Sequence, residues 1–315
     1  MPEVITLGET MVSFVPAGEG LLRYEDDYKM KIAGAESNVA SGLSKLGHSV
    51  GWISRLGNDE FGKYILRQIR ADGVDCSRVV MDDRNSTGLM FKQLISGETQ
   101  VFYYRENSAA AHIRPEDLDK AYFENAKIIH LSGITPVLSV SCRQTVEKAI
   151  EIAKQKNVLF SFDPNVRKKI WKGVDYTDLL KKLLFQADIV ELGVEEAECI
   201  LGTGCVEEIA DIILKNKEET VIAIKDGKNG AYAVNAECMV KIPPYSCTCI
   251  ETIGAGDAFN AGFLSGILEK KELEICGRMG AIAGALTTEV KGDTEGQPDR
   301  EKLEQVLSQK KNLCR

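Results

Sequence analysis

From Lys127 onward, short apolar runs alternate with helical segments, and this alternation constrains the fold more than any other feature of the chain. Lys127–Ser132, Val158–Asp163, Ile189–Leu192 and Val221–Lys225 read as strands. Ser141–Lys156, Leu179–Gln186, Glu195–Leu201 and Glu207–Asn216 read as helices between or after them. The same rhythm opens the chain. Val4–Glu9 and Val50–Ser54 are strand-like, Asn38–Leu46 carries Val39, Leu43 and Leu46 on one side before Gly47, and Glu60–Ala71 is amphipathic. Tyr232–Val234 and Met239–Ile242 suggest a hairpin, while Ala258–Leu268 and Glu274–Leu286 are apolar enough for buried helices. Strands alternating with helices predict an α/β fold: a mostly parallel central sheet with helices on both faces.

Two stretches break the rhythm, near Met11–Ala33 and Thr87–Ser108. The second holds two alternating runs around Ser96-Gly97-Glu98, the signature of a hairpin loop. Together they predict a small separate β-sheet laid over the ligand site as a lid. Ligands bind such folds beyond the carboxyl ends of the strands. Gly34, Ser132-Gly133, Asp163-Pro164-Asn165, Leu192-Gly193 and Lys225-Asp226-Gly227 all fall there. No repeat or linker divides the chain, so residues 1–315 are expected to form a single domain.

Charge and cysteines narrow the function classes. Lys+Arg 39 against Asp+Glu 47 gives a net charge of −8, which argues against nucleic acid or a membrane surface as partner. No apolar run reaches the length of a membrane span, and Met1-Pro2-Glu3 lacks the basic start of a signal peptide. The cysteines number nine, are scattered, and include Cys247-Thr-Cys249, which is not a zinc-type pair. Reduced thiols in a cytoplasmic protein are the expectation.

The stretch richest in chemistry is Thr252-Ile253-Gly254-Ala255-Gly256-Asp257, expected to follow a run of β-type residues and to open a helix. Small residues bare the backbone there, and helix-start N–H groups make an anion hole. Asp257 beside such a hole suits a base that takes a hydroxyl proton while the hole holds a phosphate; the same residues also fit a plain helix start. Gly57-Asn58-Asp59-Glu60-Phe61-Gly62-Lys63-Tyr64 nearly matches a P-loop. Its Tyr64 replaces the metal-binding hydroxyl, and its acids would repel phosphate. No dinucleotide fingerprint follows the first strand. Lys225-Asp226-Gly227-Lys228-Asn229-Gly230 could border a nucleotide or be an ordinary polar turn. Arg105 and Arg167 suit a carboxylate or phosphate, or surface ion pairs. Tyr103 and Tyr104 point to opposite sides of a strand, so one of them faces a given ligand. His130 reads as a hydrogen-bonded core residue.

Gly34-Ala35-Glu36-Ser37-Asn38, Leu46-Gly47 and Gly57-Asn58-Asp59-Glu60-Phe61-Gly62 resemble the N-terminal signature of the ribokinase-like (PfkB) carbohydrate kinases. Thr252–Asp257 resembles the C-terminal one. The resemblance implies a ribokinase-like kinase with ATP as donor, Mg²⁺ on its phosphates, Asp257 as base and the Gly254–Ala255–Gly256 amides as anion hole. Phe102-Tyr103-Tyr104-Arg105, His130–Pro136, Asp163–Arg167 and Gly292–Gly296 resemble the 2-keto-3-deoxygluconate kinase branch. That likeness implies a sugar acid held by Gly34, Asn38, Tyr103, Tyr104, Arg105, Ile134, Arg167, Asp257 and Asp293. It also implies a nucleotide near Asn165, Arg167, Lys225, Gly227, Gly230 and the Gly254–Asp257 turn. Two positions depart from the family. Glu251 stands where many members have an Asp that helps shape a monovalent-cation site in some of them, which leaves K⁺ open. Gly193 replaces an Asn linked to Mg²⁺, leaving Glu196 to act through water. A fructokinase or ribokinase, or a non-catalytic sugar sensor on the same scaffold, are the alternative readings. Exposed lid strands further imply a homo-oligomer formed through the lid.

Overall fold

The computed structural model describes residues 1–96 and 98–312. The first part runs β1 (Val4–Leu7), β2 (Met11–Pro16), β3 (Tyr28–Ala33), α1 (Ala35–Lys45), β4 (Val50–Gly57), α2 (Glu60–Ala71), β5 (Asp75–Asp82), β6 (Leu89–Ile95) and β7 (Glu98–Tyr104). The middle continues with β8 (Ile128–Ser132), α3 (Thr135–Leu138), α4 (Val140–Gln155), β9 (Leu159–Asp163), α5 (Thr177–Leu184), β10 (Ile189–Gly193), α6 (Val194–Leu201) and α7 (Val206–Asn216). It closes with β11 (Val221–Lys225), β12 (Ala231–Val234), β13 (Met239–Ile242), α8 (Ala255–Leu268), α9 (Leu273–Thr287) and α10 (Arg300–Asn312).

Nine strands form the main sheet, in the order β13-β12-β11-β10-β9-β8-β1-β4-β5. From β11 to β5 all neighbours are parallel; β12 and β13 add an antiparallel edge. The strands are apolar on both sides because helices cover both. Ile5, Phe160 and Val190 pack with residues of α4, α5, α6 and α7. Val4, Trp52 and Ile128 face the other way, with residues of α1, α2, α8 and α9.

The second sheet has four strands in the order β3-β2-β6-β7, built from the two stretches that break the βα rhythm. β6 and β7 pair antiparallel up to Ile95 opposite Glu98. Gly97 of the expected loop lies outside the described residues. One face of this sheet carries Phe14, Tyr28, Phe91 and Tyr104 as an aromatic cluster. Met11, Ala33 and Met90 face inward over the ends of the main strands.

Local details differ from the sequence expectations in three places. β5 went unforeseen, because Asp75, Ser77 and Arg78 obscure its period at the sheet edge. α10 is so polar that, among the residues whose burial is described, Leu303 and Val306 are the buried ones. The segment before the Gly-Ala-Gly turn is paired into no strand among the described residues; its Pro243 and Pro244 lack the N–H a ladder needs. The near P-loop is a capped helix start. Asp59 accepts from Gly62 N–H at 2.7 Å, and Lys63 pairs with Glu60 at the surface.

Candidate active site

Gly254 caps α8 with φ of 82°, in the left-handed region. A Cβ there would stand 2.3 Å from the Asp293 carbonyl oxygen, so both the backbone angle and the close approach require glycine. The turn delivers Gly254, Gly256 and Asp257 to the wall of a cavity of about 500 Å³ beneath the lid. The first-turn N–H groups of a helix have no partner four residues back, so Gly256 and Asp257 can donate into that cavity. Ala255 instead sends its N–H back to Thr252 O at 3.3 Å and is not among the lining residues.

Asp257 is half-buried at this wall. Burial pushes its carboxyl up to about 7, against a hydrogen bond donated by Asn38 Nδ2 at 2.8 Å. That value suits a base working near neutrality. Asn38 sits on α1, and Gln297 Nε2 holds its carbonyl at 2.9 Å.

The same cavity brings together Gly34, Tyr103, Arg105, Ile134, Asn165, Arg167, Glu196, Lys225 and Asp293. Tyr104 is not with them. It is 63% exposed and meets Phe91 on the outer face of the lid, because neighbours on a strand point to opposite sides. The two arginines differ. Arg105 pairs with buried Glu9 and lies over the Tyr103 ring, which neutralises its charge; its Nε is buried with no partner. Arg167 is exposed to the cavity, and its guanidinium donates to the neighbouring Val166 carbonyl alone at 3.3 Å among the described residues. Asp293 accepts from Lys92 Nζ at 3.0 Å, yet burial still raises its carboxyl above the usual range.

A second cavity, about 770 Å³, adjoins the first and shares Arg167, Glu196 and Lys225 with it. Gly227, Lys228 and Asn229 line it, so the Lys225–Gly230 turn borders this second cavity. Gly230 itself does not line it. With φ of 98°, it packs where a Cβ would meet the Ile242 carbonyl at 2.1 Å, so its role is to let the turn enter β12. Lys225 stands at the junction, its Nζ 3.0 Å from Asp163 Oδ2 and 3.1 Å from Asn260 Oδ1. Burial works against its charge, but Asp163 and then Glu196 outweigh it and hold the ammonium above its usual range.

Glu196 accepts from Gly193 N–H at 2.8 Å and Val166 N–H at 2.9 Å, which occupies both oxygens. Among the described residues no group of three or more acidic, His or Cys side chains is placed to hold a metal. An Mg²⁺ ion held mainly by phosphates and waters would need no such cage.

Four charged residues of the site were missed as site members from sequence. Glu9 neutralises Arg105, and Asp163 anchors Lys225 together with Asn260. Glu36 accepts from Ser132 Oγ at 2.7 Å and Thr135 Oγ1 at 2.8 Å, and burial raises its carboxyl. Lys92 is fully buried between Glu251 and Asp293. Gly8 was a usable signal for Glu36, since a Cβ there would stand 2.2 Å from the Glu36 carboxyl carbon. His130 is a core residue, 2.8 Å from Ser161 Oγ, its pKa lowered to about 4 by burial.

A small sheet over a mostly parallel α/β sheet, with two cavities meeting at Lys225 and a glycine-capped helix on the wall of the first, is the architecture of a carbohydrate kinase. Residues 1–300 match the family model for pfkB family carbohydrate kinases, and the chain belongs to that family. It is 36% identical over 321 residues to a 2-dehydro-3-deoxygluconokinase of Bacillus subtilis (strain 168), covering 99% of this chain and 97% of that one. It is 30% identical to fructokinase-1 of Zea mays, over 96% of this chain and 97% of the relative. A sugar kinase from Pyrococcus horikoshii, solved in complex with ATP, superposes with a TM-score of 0.84 at 29% identity, covering 95% of this chain and 96% of that one.

Proposed function

We propose that the protein transfers the γ-phosphoryl group of ATP to the 6-hydroxyl of 2-keto-3-deoxy-D-gluconate. One observation carries the reading: a single lidded cavity holds the Asp257 carboxylate, the open N–H groups of α8 and the uncompensated Arg167 guanidinium. A neutral hexose offers that guanidinium no charged partner, whereas a sugar acid does. The 36% identity to the Bacillus subtilis kinase supports the same substrate.

Asp257 orients the hydroxyl and takes its proton as the oxygen–phosphorus bond forms and the bond to the β-phosphate oxygen breaks. Lys225 stands between the two cavities, where charge builds on the transferring group, and Asp163 and Asn260 fix it there. The amides of Gly256 and Asp257 stabilise the same charge. Bound Mg²⁺ would neutralise phosphate charge, with Glu196 ordering the backbone beside it. Tyr103, Met90 and Met11 close the lid side against water, which otherwise competes as acceptor.

Glu9 supplies the case for a second reading. By neutralising Arg105 it leaves one free guanidinium in the cavity, which would also tolerate a neutral ketose, as the maize fructokinase likeness suggests. ADP release measured with the keto-deoxy acid, fructose and ribose separates the two. Highest kcat/KM on the acid is expected; preference for fructose or ribose would decide for the neutral sugar.

The outer face of the lid, with Tyr104 63% and Met30 40% exposed, supports pairing with the lid of a second copy. The eight described cysteines are all free thiols, which supports a reducing, cytoplasmic setting.

A further inference from the structure

Lys92 projects from the inner face of β6 and is fully buried, one step along the strand face from the cavity residue Met90. Its ammonium lies 3.0 Å from Glu251 Oε1 and 3.0 Å from Asp293 Oδ1. Each contact leads directly to the catalytic turn. Glu251 precedes Thr252, the residue whose carbonyl receives Ala255 N–H at 3.3 Å. Asp293 sets its carbonyl against Gly254, the cap of α8. The two backbone segments that shape the anion hole are thus joined through one cation supplied by the lid.

Glu251 stands where a carboxylate would help hold a monovalent metal ion, and here a buried ammonium lies directly against it, 3.0 Å from Oε1, and would repel a second cation. Oε1 takes Lys92, and Oε2 accepts from Gly292 N–H at 2.9 Å. The residues present do not fit K⁺. An ammonium between Glu251 and Asp293 offsets the repulsion of two buried carboxylates side by side and lets both stay ionised.

We propose that Lys92 is a built-in cation that replaces a monovalent metal ion at the catalytic turn and positions its anion hole. The ammonium is tethered to the lid, so the turn is complete whenever β6 is seated and needs no ion from solution. Lys92 touches neither substrate nor nucleotide; it acts through Glu251 and Asp293.

The test compares turnover in potassium chloride and in tetramethylammonium chloride at equal ionic strength. Wild-type rates are expected to agree within about threefold, and activation by potassium beyond that overturns the proposal. Lys92→Met empties the charge from between the carboxylates. Its kcat is expected to fall by about tenfold or more in tetramethylammonium, with KM for ATP little changed, and to recover at least about threefold in potassium or ammonium ions. A folded variant that keeps its turnover, or loses it with no recovery in either ion, overturns the proposal. Thermal midpoints make the same comparison without substrate: ions should raise that of Lys92→Met and leave the wild type unmoved, and equal responses count against the idea. Where the variant does not fold, the wild-type salt pair decides alone. The kinetic arms rest on the proposed function only for their acceptor. Failure of the keto-deoxy acid to release ADP refutes that substrate, and the salt comparison then runs on the sugar that does.

Discussion

Replacing Asp257 by Asn should make the protein inactive and more stable, with a stability gain that grows with pH. Burial holds the Asp257 carboxyl near 7 against an ordinary 3.8. The folded state therefore keeps a proton that the unfolded chain gives up. Stability from this group is fully present below the unfolded value and is lost as pH rises through about 7. Three units at about 1.36 kcal/mol each give a penalty of about 4 kcal/mol above that pH. Water in the half-open cavity screens the charge, and about 2 kcal/mol is the realistic figure. Asn removes the ionisation while the amide keeps its place beside Asn38. For a chain of this size the gain is about 4 °C in Tm near pH 8, and it shrinks as pH falls below the folded value toward 3.8. Shared titrations cancel in the difference between the two proteins. Turnover, read as sugar-dependent ADP release, should fall by about two to four orders of magnitude with KM for ATP little changed. A Tm difference that is absent or independent of pH refutes the burial argument; near-normal turnover refutes the role as base.

Because Asp257 must be ionised to accept a proton, kcat/KM of the wild type should rise with pH through about 7; a profile flat across that region argues against it. Arg167→Ala should raise KM for the keto-deoxy acid by about tenfold or more, the worth of one charge-assisted hydrogen bond, and barely touch fructose; equal losses would remove the carboxylate contact from the account. Gly254→Ala pays about 1–2 kcal/mol for its left-handed angle and also drives Cβ into the Asp293 carbonyl, so Tm and kcat should both drop. Unaltered kcat in that variant would dissociate the turn from catalysis. Tyr104→Ser should weaken lid-to-lid association, seen as a shift toward monomer in sedimentation; a variant as dimeric as the wild type, or a wild type that is monomeric, counts against that interface.

The parts of this molecule legible in the sequence are those fixed by local period. Strand–helix alternation gives the order of the central sheet's elements, and the turns at strand ends give Gly34, Asn165 and Lys225 a common side. The alternation of Tyr103 and Tyr104 says that one faces inward, but only pairing with β6 decides which. The charges are harder. Arg105 and Arg167 look equivalent as single residues, and it takes Glu9, from the far end of the chain, to silence one of them. Lys92 is the clearest case. Between Phe91 and Gln93 it reads as a solvent-facing strand position, yet its side chain is fully buried. Its partners lie 159 and 201 residues further on, in loops that the folded chain brings to the inner face of β6. A period reports which face of an element is buried when burial is apolar. A buried charge inverts that signal, because its compensation is tertiary. The residues least visible in such a sequence are therefore the ions that hold two chain segments in register around a catalytic turn.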